Sequence, residues 1–374
     1  MRVMVTGGGT AGHVYPALSV VATLVGDARW QTGPEDVLWV GSEQGMEGAL
    51  VRREGLRFES VATAALRGRS PVALARGLTA MRRGAREARA LVAEWRPDVV
   101  LATGGYVSAP LVLGARRRCP VLIYLPDMQP GLAIRVLGRY ADRVAVSFDA
   151  VARYFPARKV LVSGYPVRQE LHGADKRVAR RALGLADGAD ERVVLVLGGS
   201  RGARSINTAV SAALPELLAL ARVLHISGNE DYDNVREAAR TLTQEQAARY
   251  RLYPYAYEEM TDLLAAADLV VARSGAATLG EFPAVGLPAV LVPYPYAGQH
   301  QEYNARFLVE RGAARMVLDR DLQSALLPTV QALLTDAAQL EAMGAAARAV
   351  AAPDAAQRIA AELARLVSRK GGAQ

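Results

Sequence analysis

The chain has 374 residues, 51% of them apolar and 22% charged, with a formal net charge of +8 at pH 7. This is an ordinary globular balance, with length for two domains of roughly 100–200 residues each. One cysteine (Cys119) and four scattered histidines (His13, His172, His225, His300) exclude an internal disulfide framework and a multi-cysteine zinc site, and point to a reducing compartment.

The first strand-like run, residues 2–6, leads into Gly7-Gly-Gly-Thr-Ala-Gly12 and a helix-like run from Pro16. Residues 3–26 carry no formal charge, but the glycines, His13 and Pro16 interrupt them, so neither a signal peptide nor a spanning helix is expected. Gly7-x-Gly9-x-x-Gly12 matches the dinucleotide fingerprint, in which glycines let the backbone approach a diphosphate and a helix N-terminus supplies N–H donors. A tight turn without a ligand is the plainer alternative. His13, at the mouth of the turn, is placed as a general base or phosphate ligand, or else as a capping or packed residue.

Further strand-like runs fall at 37–40, 99–102, 121–124, 143–146 and 160–162. Residues 66–96 hold eight arginines against Glu87 and Glu94. Leu74, Leu78 and Met81 stand there at helical spacing beside Arg82, Arg83 and Arg86. Such a segment can lie on an anionic membrane, which the positive net charge would also favour, or can be a surface helix packed on a sheet. Thr103-Gly-Gly-Tyr106 is a second glycine turn at a strand end, and Gly164-Tyr-Pro166 punctuates a domain boundary.

A second opening has the same form: strand-like 192–197, then Gly198-Gly-Ser-Arg-Gly-Ala203, then a helix-like run from about Ile206. Strand-like runs follow at 222–226, 269–272, 289–292 and 314–318. Asp231-Tyr-Asp233 is read as an acidic pair at a helix N-terminus rather than a metal-binding pair. Arg273-Ser-Gly-Ala-Ala-Thr-Leu-Gly-Glu281 is a small-residue turn leading into a helix, whose Glu281 can accept hydrogen bonds from both ribose hydroxyls of a nucleotide, or can be a solvated glutamate. Gln299-His-Gln301 with Asn304 suits hydrogen bonding to a sugar, or is a polar turn. Residues 354–369 read as an amphipathic helix. Strands alternating with helices in two series predict an α/β protein with two parallel sheets, and the glycine turns predict a cleft between two domains for phosphate-bearing ligands.

Taken together, Gly-Gly-Thr-Ala-Gly-His13, Thr-Gly-Gly-Tyr-Val-Ser-Ala-Pro110, Gly-Gly-Ser-Arg-Gly-Ala203 with Asn207, Arg-Ser-Gly-Ala-Ala-Thr278 with Glu281, and Gln301 with Asn304 resemble the peptidoglycan N-acetylglucosaminyltransferases that act on lipid I. Leu66-Arg-Gly68, Pro166-Val-Arg168 and Gly286-Leu-Pro288 fit the same pattern, and the resemblance runs nearly end to end.

The resemblance implies a GT-B glycosyltransferase fold of two Rossmann-like domains with an interdomain cleft. Residues 1–165, completed by a helix at 354–370, would take the acceptor, and residues 166–353 the UDP-sugar. It implies inverting transfer from UDP-N-acetylglucosamine to a lipid-linked muramyl-peptide acceptor, with no cofactor, no metal and no nucleic-acid partner. Ser200 and Arg168 would meet the diphosphate region, the backbone of Tyr257 the uracil, and Glu281 the ribose. Ala276, Ala277 and Thr278 would line the diphosphate, and Gln301 would hold the sugar. His300, Asn304, Thr10 and Gly12 complete the UDP-sugar set. Gly8, Gly9, Gly104, Gly105 and Tyr106 would face the acceptor diphosphate. His13 is the candidate catalytic base and Asp127 its competitor. The segment bearing Leu74, Leu78, Met81, Arg82, Arg83 and Arg86 would meet an anionic membrane surface from its cytoplasmic face, peripherally.

Three positions depart from the family pattern. Tyr124-Leu-Pro-Asp127 stands where the family usually shows His-Glu-Gln-Asn, Tyr165 where it shows Asn, and His300 where it shows the first Gln of a pair. Rival readings are a same-fold transferase with another lipid acceptor, a UDP-sugar 2-epimerase, an NAD-dependent oxidoreductase and a non-catalytic binding relative.

Overall fold

The computed structural model describes residues 1–43, 45–64, 71–185, 191–199, 202–296 and 300–371. Among them, two all-parallel sheets form two compact units. The first unit joins Met1–Arg168 to the segment from Ala352 onward, and the second is Gln169–Ala351.

The first sheet contains β1 (Val3–Thr6), β2 (Val37–Gly41), β3 (Arg57–Ser60), β4 (Val99–Ala102), β5 (Val121–Leu125), β6 (Arg143–Val146) and β7 (Val160–Val162), in the order β3-β2-β1-β4-β5-β6-β7. Its central strands are apolar on both faces, as parallel strands between helical layers must be. Met4, Val40, Val100 and Ile123 pack on one face against α3 (Pro71–Trp95) and α4 (Ser108–Ala115). Val3, Val5 and Trp39 pack on the other against α1 (Ala11–Gly26) and the helix Ala355–Gly371, through Val14, Leu18, Ile359 and Leu363.

The second sheet contains β8 (Val193–Leu197), β9 (Arg222–Ile226), β10 (Tyr250–Tyr253), β11 (Leu269–Arg273), β12 (Ala289–Val292) and β13 (Ala314–Met316), in the order β10-β9-β8-β11-β12-β13. At its amino end Asp268 gathers charge. Its carboxylate accepts from the Val193 N–H at 2.7 Å, Arg180 at 2.7 Å and Lys176 at 2.9 Å, with Arg192 at 3.7 Å. Asp268 and Arg180 are both nearly buried.

Some boundaries differ from the expected ones for physical reasons. The helix begins at Ala11 rather than Pro16, because Pro16 sits inside α1. Proline cannot donate to the carbonyl four residues back, and that carbonyl, Gly12 O, instead accepts the Tyr165 hydroxyl at 3.4 Å. The units divide after Arg168 rather than at the Gly164–Pro166 punctuation. Tyr165 and Val167 are buried in the first unit, and the Arg168 guanidinium lies 4.9 Å from the Tyr15 ring. β13 ends at Met316, short of Leu318, and the edge strands β3 and β10 had no apolar run to mark them. Among the described residues, no helix is long and apolar enough to cross a membrane, and no three His, Cys, Asp or Glu side chains gather to hold a metal ion.

Candidate active site

Each sheet reverses its strand order once, between β1 and β4 and between β8 and β11. Ligands of doubly wound sheets bind at such points, beyond the carboxyl ends of the strands. The glycine-rich turns lie there: 7–12 after β1, 103–106 after β4, 198–199 and 202–203 after β8, and 274–280 after β11.

In the first unit the two turns are locked together. The Thr103 hydroxyl donates to His13 O at 2.5 Å, and the Thr103 N–H to Thr6 O at 2.8 Å. His13 is the third residue of α1, with Nδ1 2.9 Å from the exposed Thr10 hydroxyl. The other edge of its ring faces Gly104. A Cβ there would stand 2.9 Å from His13 Cδ2 and 3.2 Å from Nε2, and φ is +104°, so glycine is required on both counts. Tyr106 is 37% exposed, and its Cε1 would lie 3.6 Å from a Cβ built on Gly9. Asp127 follows β5 and is half-buried.

Two of the departures from the family pattern meet here. Tyr124 and Tyr165 pack edge-on with ring centroids 6.3 Å apart. The Tyr124 hydroxyl is 2.7 Å from Ser147 Oγ, and burial holds its pKa far above the usual phenol range. The pair ties the end of β5 to Gly12 through the Tyr165 hydroxyl.

In the second unit Ser200 lies outside the described residues. The turn after β11 passes through Ser274 and Gly275 into a 3-10 helix, Ala276–Leu279, and then into Glu281, the first residue of the helix Glu281–Val285. Ala276 and Thr278 are buried, and the Thr278 hydroxyl donates to Gly275 O at 2.8 Å. Asn304 is fully buried, its amide donating to Ser274 O at 3.1 Å, while the Ser274 hydroxyl donates to Gln301 O at 2.7 Å. Gln301 Oε1 accepts the Tyr294 N–H at 3.0 Å. Ala277 and His300 are half-buried, His300 opening the helix His300–Glu310. Tyr257 is 45% exposed beside Tyr255, and its N–H points to Glu259 Oε2 at 3.4 Å. Gly275 is the informative glycine. Its φ of −65° suits any residue, and a Cβ would meet no described atom within 4 Å. Neither its own backbone nor the packing of the described residues calls for glycine there.

Sequence reading missed two networks beneath these turns. The Arg273 guanidinium is buried between Asp319 at 2.5 Å, Ser205 Oγ at 2.6 Å and the carbonyls of Val292 and Pro293. His225 lies within β9, with Nε2 3.0 Å from Asn207 Oδ1 and Nδ1 2.9 Å from the Tyr250 hydroxyl. Asn207 Nδ2 already donates to Ser227 O and Asp231, so its Oδ1 must accept from His225 Nε2–H, and Tyr250 must donate to Nδ1. Burial pushes the His225 pKa down to about 4. Asp231 does stand at the N-terminus of the helix Tyr232–Ala238, as expected.

The proposed membrane residues divide. Arg82, Arg83 and Arg86 are exposed on α3, Arg83 pairing with Glu87 at 2.7 Å, and Leu78 is 44% exposed. Met81 turns inward against the core, and the Leu74 side chain lies outside the described residues. Sequence reading also missed α5 (Leu132–Leu137), where Leu132 is 79% and Val136 42% exposed beside the exposed Arg135.

Residues 3–146 match the glycosyltransferase family 28 N-terminal domain, and residues 193–359 the family 28 C-terminal domain. With two doubly wound units, these matches define the class: a two-domain glycosyltransferase of the GT-B fold. The chain is 43% identical to the UDP-N-acetylglucosamine--N-acetylmuramyl-(pentapeptide) pyrophosphoryl-undecaprenol N-acetylglucosamine transferase of Roseiflexus sp. (strain RS-1), over 99% of this chain and 96% of that one. It is 43% identical to the transferase of the same name from Desulforudis audaxviator (strain MP104C), over 96% of each. The crystal structure of Acinetobacter baumannii MurG matches with a TM-score of 0.74 at 27% identity, covering 97% of this chain and 99% of that one. The chain belongs to this family of N-acetylglucosamine transferases. A Neisseria meningitidis UDP-GlcNAc 2-epimerase, at 14% identity and a TM-score of 0.68 over 98% of this chain and 100% of that one, shares the fold alone.

Proposed function

We infer that this protein transfers N-acetylglucosamine from UDP-N-acetylglucosamine to a muramyl-pentapeptide carried on a polyprenyl diphosphate, a step of peptidoglycan synthesis. The observation that carries this reading is the 43% identity, over nearly the whole of both chains, to transferases named for that reaction. The test is transfer of radiolabelled N-acetylglucosamine from its UDP form to a lipid I analogue, beside a panel of glycolipid acceptors. Transfer to a glycolipid but not to the analogue would reassign the acceptor. Turnover of the donor without any acceptor would favour an epimerase.

In this reading the second unit holds the donor. Glu281 accepts the ribose hydroxyls, the turn at Gly275–Thr278 takes the diphosphate with Ser200, the Tyr257 backbone meets the uracil, and His300 and Gln301 take the sugar. Asn304 acts through Ser274, whose carbonyl it holds. The first unit holds the acceptor. The acceptor hydroxyl attacks the anomeric carbon, the bond from that carbon to the diphosphate oxygen breaks, and UDP leaves from the opposite face. The proton passes to the His13 imidazole, whose Nδ1 lies 2.9 Å from the Thr10 hydroxyl.

Glu281→Ala should weaken UDP binding by roughly 1.5–3 kcal/mol, since two charge-assisted hydrogen bonds are lost. Calorimetry giving an unchanged Kd would remove Glu281 from the site.

The protein works peripherally at the cytoplasmic face of the membrane, docking through Leu78, Arg82, Arg83 and Arg86 together with Leu132 and Val136. Binding to anionic vesicles should therefore fall steeply with salt, because the Debye length shrinks to about 3 Å at 1 M. Replacing Arg82, Arg83 and Arg86 by Gln should weaken it further. Co-sedimentation indifferent to both changes would leave α3 an ordinary surface helix.

A further inference from the structure

The first glycine turn contains an anion of the protein's own. Glu47 is the first residue of α2 (Glu47–Arg53) and is completely buried. Its Oε1 accepts the Ser42 N–H at 2.9 Å, and its Oε2 accepts the Gly9 N–H at 3.3 Å. The surrounding backbone is shaped to the carboxylate. A Cβ on Gly8 would stand 2.5 Å from Glu47 Cδ, and one on Gly45 closer still. Buried carboxylates persist where backbone N–H groups hold them, and successive N–H groups in a turn form an anion-binding concavity. Here Glu47 takes from that concavity the amide that a bound phosphate would need.

We propose that Glu47 is a positioning residue for the transfer: its carboxylate fixes the turn that carries Thr10 and His13, and leaves the acceptor diphosphate to the turn at Gly104–Tyr106. Three observations converge on this. The Gly9 amide is already engaged. Gly8 is buried against the carboxylate, so its apolar face is closed to a ligand. The turn is joined through Thr103 to the second glycine turn, so a shift at Gly8 and Gly9 displaces the imidazole relative to Gly104. The inference rests on the reading of the first unit as the acceptor side.

Glu47→Gln is the test. The amide can still accept from Ser42, but its NH2 then confronts the Gly9 N–H, donor against donor. Misplacement of a reacting group by about 1 Å can cost on the order of 10²-fold in rate, so kcat on the lipid I analogue should fall by about that factor. Acceptor KM and UDP affinity should stay near parental values, with the variant still folded at the assay temperature although the unsatisfied buried donors lower its melting point. A lower acceptor KM with kcat retained would mean that Glu47 competes with phosphate at this turn, and would overturn the proposal. So would unchanged kinetics, or a kcat loss that merely follows the fraction unfolded. Should Glu47→Gln not fold, Glu47→Asp carries the same test, since it keeps the charge and shortens the reach by one methylene. A parent protein inactive on the analogue would instead count against the functional reading itself.

Discussion

His13→Ala should lower kcat by roughly 10²–10⁴-fold while UDP affinity stays intact. The hydroxyl that attacks the sugar must lose its proton as the new bond forms, and an imidazole, with an unperturbed pKa near 6.5, suits that task at neutral pH. The structure adds an orienting partner on one side of the ring, Thr10 at 2.9 Å from Nδ1, and glycine-only space on the other, at Gly104. Asp127 is the rival, a half-buried carboxylate at the end of β5 in the segment that departs from the family pattern. Parallel kcat measurements on His13→Ala and Asp127→Ala separate the two. If only the aspartate variant is crippled, the histidine assignment fails and the base has moved to β5.

The largest stability effect should come from a residue remote from the chemistry. Asp268→Ala should destabilise the second unit by roughly 3–5 kcal/mol, the cost of removing one partner from a buried ion pair. Arg180 would remain nearly buried without its carboxylate, keeping among the described residues only the Ala266 carbonyl at 3.1 Å, and the Val193 N–H would lose its acceptor. Lys176 is far more exposed and adds little, since solvent screens it. Asp268→Asn should fall between, because its amide oxygen can still accept from Val193 but cannot balance the arginine. Urea unfolding monitored beside UDP binding reads both. A loss below about 1 kcal/mol would place the cluster in the range of exposed pairs.

What could be read from residues alone follows from burial. Central strands such as β1, β4 and β8 sit between two helical layers and announce themselves as unbroken apolar runs. β3 reads Arg-Phe-Glu-Ser and β10 Tyr-Arg-Leu-Tyr, because an edge strand is only partly covered and needs no such run. The turns at Gly9, Gly104 and Gly199 were readable because a positive φ there demands glycine. Glu47 was not, since a glutamate opening a helix looks like a solvated charge, and only the approach of two loops distant in sequence reveals its role. A hint was present in Gly45, two residues before it, whose space the carboxylate takes. His225 was hidden for the same reason: its partners Asn207 and Tyr250 come from elements on either side of it in the chain. Arg168 looked like part of the second unit by its place after Pro166, yet its guanidinium covers Tyr15.

The helix Ala355–Gly371 has a consequence for the birth of the molecule. It supplies Ile359, Ala360 and Leu363 to the same core as Val3, Val5 and Trp39, although nearly the whole chain separates them. The second unit, residues 169–351, lies wholly between these pieces and can complete its own sheet as it leaves the ribosome. The first unit can complete its seven strands as well, but not the helical layer over them. At about 5–20 residues per second, that layer waits roughly 10–40 s after residue 168 emerges before the closing helix arrives. Through that interval the part of the sheet beside α1 that this helix covers is open on the nascent chain, so the portion translated first is the portion that matures last, and it is there that chaperone capture or premature aggregation should occur.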